Sequence, residues 1–334
     1  MCIRDRYLPL VIIPDNENFF KLSKEIASRY GFHSQIVRLE TFNSVIKCLS
    51  EIEKPDLSDK TKQKLIDAVK SLVANICGGI YVEFLIQKNI AKREVSGPLT
   101  WVLANPADEQ GQSMYVGLDV STKKGITGAA FIVLDPYGEL ISARIIQLKT
   151  ETLNYQDYYD VLRYMISRAR DKGLKRVVVL RDGIPKTPLE LKECLEAFNT
   201  VVKELKYRAS LNYVSVIKRS SVRVFASNKK LKANPIQGTY IYMYKLKHLG
   251  YIAHEVLVSA SKPEEGTTRP IILRIYELQE EYNIDKAKKI AEEYLALTRL
   301  DFWNLQTGAS RLALPVKMAD ILSYMLSMGI PVRA

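Results

Sequence analysis

The stretch Lys175–Pro185 reads KRVVVLRDGIP, and it constrains the chain more than any other. Four apolar residues run unbroken from Val177 to Leu180, three of them β-branched, and the run stops at Arg181-Asp182-Gly183. A run of this kind reads as a buried strand. A buried strand that ends on a carboxylate needs a use for it, because a charge taken out of water is costly without a partner. Asp119 raises the same question from within YVGLDVS, where it sits among Val116, Leu118 and Val120.

The surrounding pattern places both acids. MYVGLDVSTKKG, TGAAFIVLDPYGEL and ISARIIQLKTE are three strand-like runs joined by short turn signals, and they read as an antiparallel meander. NYQDYYDVLRYMISRARDKG follows as a helix, and KRVVVLRDG is then a fourth strand expected to lie beside the first. On that arrangement Asp119 and Asp182 emerge together. Two close carboxylates repel, and either one takes a proton or a divalent cation removes the conflict. Oxygen ligands without His or Cys suit Mg²⁺ or Mn²⁺. By itself Asp182-Gly183 reads equally as a plain turn after a strand. Asp320 lies in RLALPVKMADILSYML, a helix with apolar Met318, Ile321, Leu322 and Met325. Taken alone it reads as a solvated acid beside Lys317.

Before residue 92 the order is strand, helix, strand, helix. LPLVIIPD and SQIVRLETF read as strands. NENFFKLSKEIASRYG and SDKTKQKLIDAVKSLVANICGG read as helices, the second capped by Ser58 and closed by Gly78-Gly79. This order predicts a small parallel sheet covered by helices. Lys92–Ser113 breaks the pattern with Gly97, Pro98, Pro106 and Gly111, and a domain boundary is placed near Gln112. The chain thus reads as α/β in two domains, 1–112 and 113–334, and its 334 residues exceed what one ordinary core needs.

Composition narrows the class. The net charge of +12 and pI near 9.3 point to a polyanionic partner, nucleic acid before membrane. No apolar run approaches a membrane span, and the first six residues, MCIRDR, lack the apolar stretch of a signal peptide. Cys2, Cys48, Cys77 and Cys194 show no metal-ligand spacing, and His33, His248 and His254 do not group with them. A zinc site or disulfide framework is not expected, and a reducing cytoplasm fits. There is no Ser-His-Asp or Cys-His motif and no phosphate-binding glycine loop, which argues against an actin-like ATPase.

Taken together, Asp119, RDG at 181–183, VIKRSSVRVF at 216–225, EVLVSASKPEEGTTRP at 255–270 and RLALPVKMAD at 311–320 resemble, in this order, the PIWI domain of Argonaute proteins. The preceding region resembles the MID domain of the same family. The resemblance implies a prokaryotic Argonaute fragment without the N and PAZ domains, and a PIWI domain whose RNase H-like mixed sheet is flanked by helices. It further implies a guide-directed endonuclease that cuts a complementary target, DNA or RNA, with a short guide strand. Such a protein would serve prokaryotic defence, as a monomer in its full-length form.

The family's slicing members use two strand Asp, a mobile Glu and a final Asp, His or Asn. By motif match these are Asp119, Asp182 and Asp320, with Glu151 in LKTETLN as the Glu; Glu151 reads equally as a helix-start acid. Two Mg²⁺ or Mn²⁺ ions on Asp119, Asp182 and Asp320 would flank the scissile phosphate, one activating water and one stabilising the leaving oxygen. Lys218, Arg219, Arg223, Thr267, Thr268, Arg269 and Arg311 are implied as contacts to the nucleic-acid backbone. For the guide 5′ end the matching positions are Phe20, Lys24 and Gln35. Ile76 stands where the family carries a lysine, which implies a weaker demand for a 5′-phosphate and a preference for a 5′-hydroxyl guide. The alternatives are a guide-dependent binder that does not cut, and another RNase H-like nuclease.

Overall fold

The computed structural model describes residues 10–13, 35–52, 54, 57–69, 102–228, 231–233, 235–260, 269–300 and 311–329. The chain divides into two compact units. One comprises Met1–Glu94 with Phe302–Gly308 and Met328–Arg333, the other Val95–Asp301 with Ala309–Ser327. Among the described residues no helix is long and apolar enough to cross a membrane.

In the first unit β1 (Leu10–Ile13) and β2 (Gln35–Arg38) pair in parallel, Leu10 against Gln35, as the alternating pattern predicts. The second strand is shorter than its expected span of 34–42. It stops at Arg38, and α1 (Leu39–Ile52) starts on the next residue. Leu39, Phe42, Ile46 and Leu49 recur at three- and four-residue spacing, and Glu40 favours a first helical turn. That helical period overrides the short apolar run before it. Helix α2 covers 59–69, and Ser58 caps it, with its Oγ 3.4 Å from the Thr61 N–H. The expected helix over 16–31 and the Gly78-Gly79 stop lie outside the described residues.

The second unit is built on an eight-stranded mixed sheet. Its first strands are β3 (Ser113–Lys123), β4 (Ile126–Leu134) and β5 (Leu140–Leu148), a meander as expected. Lys124 and Gly125 turn the first hairpin, both at positive φ, +49° and +78°. Helix α3 (Tyr155–Asp171) starts at the N-cap Asn154, whose side chain and that of Asp157 cap each other's backbone N–H. Then β6 (Arg176–Asp182) runs parallel to β3, Leu118 opposite Arg181. Helix α4 (Pro188–Glu204) leads to β7 (Ser210–Ile217), parallel to β6. A separate small hairpin, β8 (Ala226–Asn228) and β9 (Leu231–Ala233), precedes β10 (Thr239–His248), β11 (Tyr251–Ser259) and β12 (Ile271–Tyr276). Helices α5 (Ile284–Thr298) and α6 (Leu314–Ser327) complete the unit. The sheet order is β10-β11-β12-β7-β6-β3-β4-β5.

Strand alternation sends side chains to opposite layers. Met114, Val116 and Leu118 of β3, with Val177 and Val179 of β6, pack on α3 and α4 through Val161, Leu162, Met165, Leu191 and Phe198. The intervening residues, Tyr115, Gly117 and Asp119, turn to the layer of α6. Gly117 permits close helix approach there: a Cβ at this position would lie 2.1 Å from the Pro315 carbonyl. The side chain of Leu326 fills the same role over Gly128, 2.8 Å from a Cβ built there.

Candidate metal centre

The parallel register that sets Leu118 beside Arg181 brings the next residues, Asp119 and Asp182, to the same end of the sheet. Helix α6 lies over that end, with Asp320 and Ser323 one turn apart. One carboxylate oxygen from each of Asp119, Asp182 and Asp320 lies within 4.8 Å of the others. Among the described residues this is the single group of three or more acid, His or Cys side chains spaced to hold a metal ion.

Each acid is held differently. Asp119 is 8% exposed and accepts a hydrogen bond from Ser323 Oγ. Burial raises its pKa, the Ser323 hydroxyl works against that, and the charge of Asp320 adds to it. Burial pushes Asp182 up to about 6, against the opposing pull of Lys218. Lys218 follows β7, and its ammonium pairs with Asp182 Oδ2 and lies 3.3 Å from Asp320 Oδ1. Burial weakens the Lys218 charge, but Asp182 and then Asp320 outweigh it and raise the ammonium pKa. The side chain of Asp320 is half-exposed.

The strand end that carries Asp182 is pinned from the other face. Arg181 points to the opposite layer, where its Nε donates to Glu190 Oε1 at 2.6 Å. Glu190, fully buried at the start of α4, also accepts from the hydroxyls of Tyr158 and Tyr213, each at 3.3 Å. Arg181 Nη1 reaches back to the carbonyl of Asp182 at 2.9 Å. Gly183, at φ +77°, donates its N–H to the Val216 carbonyl.

The donor set fits a hard divalent cation. It is oxygen-only, two of its three acids are largely buried, and one ammonium faces three carboxylates. Glu151 stands outside this group. It lies between β5 and α3 and pairs with Lys186, both side chains more than a third exposed. Of the basic residues, Arg219, Arg223 and Arg269 are exposed and Arg311 is partly buried. Arg311 donates through Nη2 to the carbonyl of Lys218, which places it next to the acids. Burial lowers the pKa of Arg311, and repulsion from Arg269 and Arg223 adds to the shift, so three guanidinium groups share one neighbourhood. Phe20, Lys24, Ile76, Thr267 and Thr268 lie outside the described residues, and Gln35 opens β2.

Sequence reasoning assigned Lys218 to phosphate and missed its pairing with the acids. It also missed Ser323, although a serine three residues after Asp320 shares its helix face. The Arg181–Glu190 pair carried no readable signal, because nine residues and a loop separate the partners.

The family model described as the Piwi domain matches residues 10–323. No curated protein matches the chain. Among solved structures, the Argonaute of Methanocaldococcus jannaschii is similar over 97% of this chain and 39% of its own, at 18% identity and a TM-score of 0.50. The Argonaute of Marinitoga piezophila, in complex with a 5′-OH guide RNA, aligns over 96% of this chain and 42% of its own, at 15% identity and a TM-score of 0.47. RNase H1 of Halobacterium salinarum aligns over 30% of this chain and 84% of its own, at 12% identity and a TM-score of 0.21. The chain therefore spans about two fifths of the length of the two Argonautes, 39% and 42%.

Proposed function

The chain belongs to the Piwi-domain family, and from that premise we propose that it is a guide-directed endonuclease whose cutting centre is Asp119, Asp182 and Asp320. The observation that carries this reading is the approach of the three carboxylates, within 4.8 Å, from two parallel strands and a helix far apart in sequence. Mg²⁺ or Mn²⁺ bound there would supply the Lewis acidity needed to activate water and stabilise charge on a phosphodiester. The protein contributes position. Asp119, Asp182 and Asp320 would hold the ions, Ser323 orients Asp119, and the Arg181–Glu190 pair fixes the strand end under Asp182.

Arg219, Arg223, Arg269 and Arg311, with Lys218, are the proposed contacts to the guide and target backbones, joined by Thr267 and Thr268. Such contacts set register, while base pairing between the strands selects sequence. Residues 1–112 are assigned the guide 5′ end, through Phe20, Lys24 and Gln35. Glu151 is the proposed fourth acid. Its pairing with Lys186 is solvent-exposed, and exposed ion pairs hold a side chain weakly, so release of Glu151 toward the other acids costs little.

A cleavage assay tests the reading directly. The chain is incubated with short DNA or RNA guides, 5′-phosphorylated or 5′-hydroxyl, complementary targets, and Mg²⁺ or Mn²⁺. Cutting that Asp182→Ala abolishes while guide binding persists supports it; cutting unchanged in Asp182→Ala defeats it. A guide-dependent binder that does not cut is the second reading, favoured by the separation of Glu151 from the three aspartates. Guide-dependent target binding without products in any metal selects it.

A further inference from the structure

Lys218 is the one cation the structure places inside the acidic cluster among the described residues. Its ammonium pairs with Asp182 Oδ2 and stands 3.3 Å from Asp320 Oδ1, so it occupies the ground between two of the three carboxylates. A divalent ion held by the same side chains would meet a like charge at close range. At such distances repulsion in a partly buried site is strong, and the two cations cannot both keep full contact with the acids.

The surroundings of Lys218 allow only its side chain to yield. The strand before it is fixed, because β7 pairs through Ile217 with Ile272 of β12. Its own carbonyl is held by Arg311 Nη2. The stem beyond Cα is four flexible carbons, and the side chain is 30% exposed, so a path to solvent is open. Arg311, which holds the Lys218 carbonyl, is itself repelled by Arg269 and Arg223, so an ammonium released from the acids enters a basic neighbourhood that an anion would relieve.

Resting on the carboxylate reading above, we propose that Lys218 is an exchangeable internal cation. It neutralises Asp182 and Asp320 until a divalent ion binds, then leaves them and takes a phosphate of the nucleic-acid backbone. Metal and nucleic acid therefore bind cooperatively, because each makes room for, or rewards, the movement the other needs. Lys218 is a positioning residue in this scheme, guarding the acids against self-repulsion without a bound ion.

Calorimetric titration with Mn²⁺ separates this role from a merely structural one. Lys218→Met, similar in length and uncharged, is expected to bind Mn²⁺ about tenfold tighter than the wild type. A short single-stranded DNA is expected to tighten Mn²⁺ binding in the wild type and to lose most of that effect in Lys218→Met. Mn²⁺ binding that is equal or weaker in a folded Lys218→Met overturns the exchange. Asp182→Asn distinguishes the two levels: if it binds Mn²⁺ as the wild type does, the carboxylate reading falls and this inference falls with it. If Asp182→Asn loses Mn²⁺ while Lys218→Met gains nothing, the exchange alone falls. Should Lys218→Met fail to fold, the unmutated protein still decides the matter through acetylation of Lys218 read by mass spectrometry. Labelling that rises on adding Mn²⁺ supports the exchange, and labelling that does not change overturns it.

Discussion

Asp182 shows most directly what burial does to one side chain. Its folded pKa is pushed up to about 6, while the unfolded chain keeps a value near 3.8. For a carboxyl raised on folding, the folded state binds the proton more tightly. Its stabilising contribution is therefore complete below about pH 3.8 and is lost as pH rises through about 6. At neutral pH that contribution is absent. A divalent ion bound at these acids would restore it by favouring the carboxylate. Thermal melts in chelator and in Mn²⁺ are expected to show a large gain in Tm from the metal near pH ~7.5 and a small gain near pH ~5. Equal gains at both values would show that the ion does not bind at these acids.

At the scale of elements, the cluster depends on how closely α6 lies on β3. Gly117 stands two residues before Asp119 on the same face, and a Cβ there meets backbone, 2.1 Å from the Pro315 carbonyl. Backbone cannot rotate away, so Gly117→Ala must push the first turn of α6 off the sheet and carry Asp320 with it. The expected cost is about 1–3 kcal/mol, with loss of most Mn²⁺ affinity. Gly125→Ala provides the contrast. It sits at φ +78° in the β3–β4 turn with nothing within 4 Å of a Cβ. Left-handed strain there costs about 1–2 kcal/mol and leaves Mn²⁺ binding as in the wild type. Denaturant melts and metal titrations of the two variants check both statements.

The whole molecule carries a net charge of +12, and part of that excess is organised. Arg311 holds the carbonyl of Lys218 beside the acids, Arg223 and Arg269 lie near enough to repel its charge, and Arg219 belongs to the same segment as Arg223. A chain that neutralises phosphates with such groups releases counterions, so its affinity falls steeply with salt. On the proposed function, Arg223→Ala is expected to weaken binding of guide–target duplexes of any sequence alike and to lower the slope of log K against log salt by about one. Filter binding over a range of salt concentrations measures this. A sequence-dependent loss would instead place Arg223 at a base edge.

Much of this protein was legible without coordinates because the signals are local. The unbroken run Val177–Leu180, the acid inside YVGLDVS and the turn residues Lys124-Gly125 state strand, buried charge and hairpin over a few residues each. The order meander, helix, fourth strand predicts the fourth strand beside the first, and the parallel pairing of β3 with β6 then sets Asp119 beside Asp182. The helix at Leu39–Ile52 was missed because a short apolar run at its start resembles a strand until the longer period is counted. What only the tertiary structure decided concerns directions and partners. Arg181 and Asp182 are neighbours in sequence, yet the pleat sends one to a buried glutamate and the other to the cluster of carboxylates. Lys218 reads as any surface lysine in KRSSVR, and only the register of β6 with β7 and the placing of α6 turn its ammonium onto two carboxylates. Periodicity declares which face a residue takes, but the charge it meets there comes from a distant segment, and no local pattern encodes that meeting.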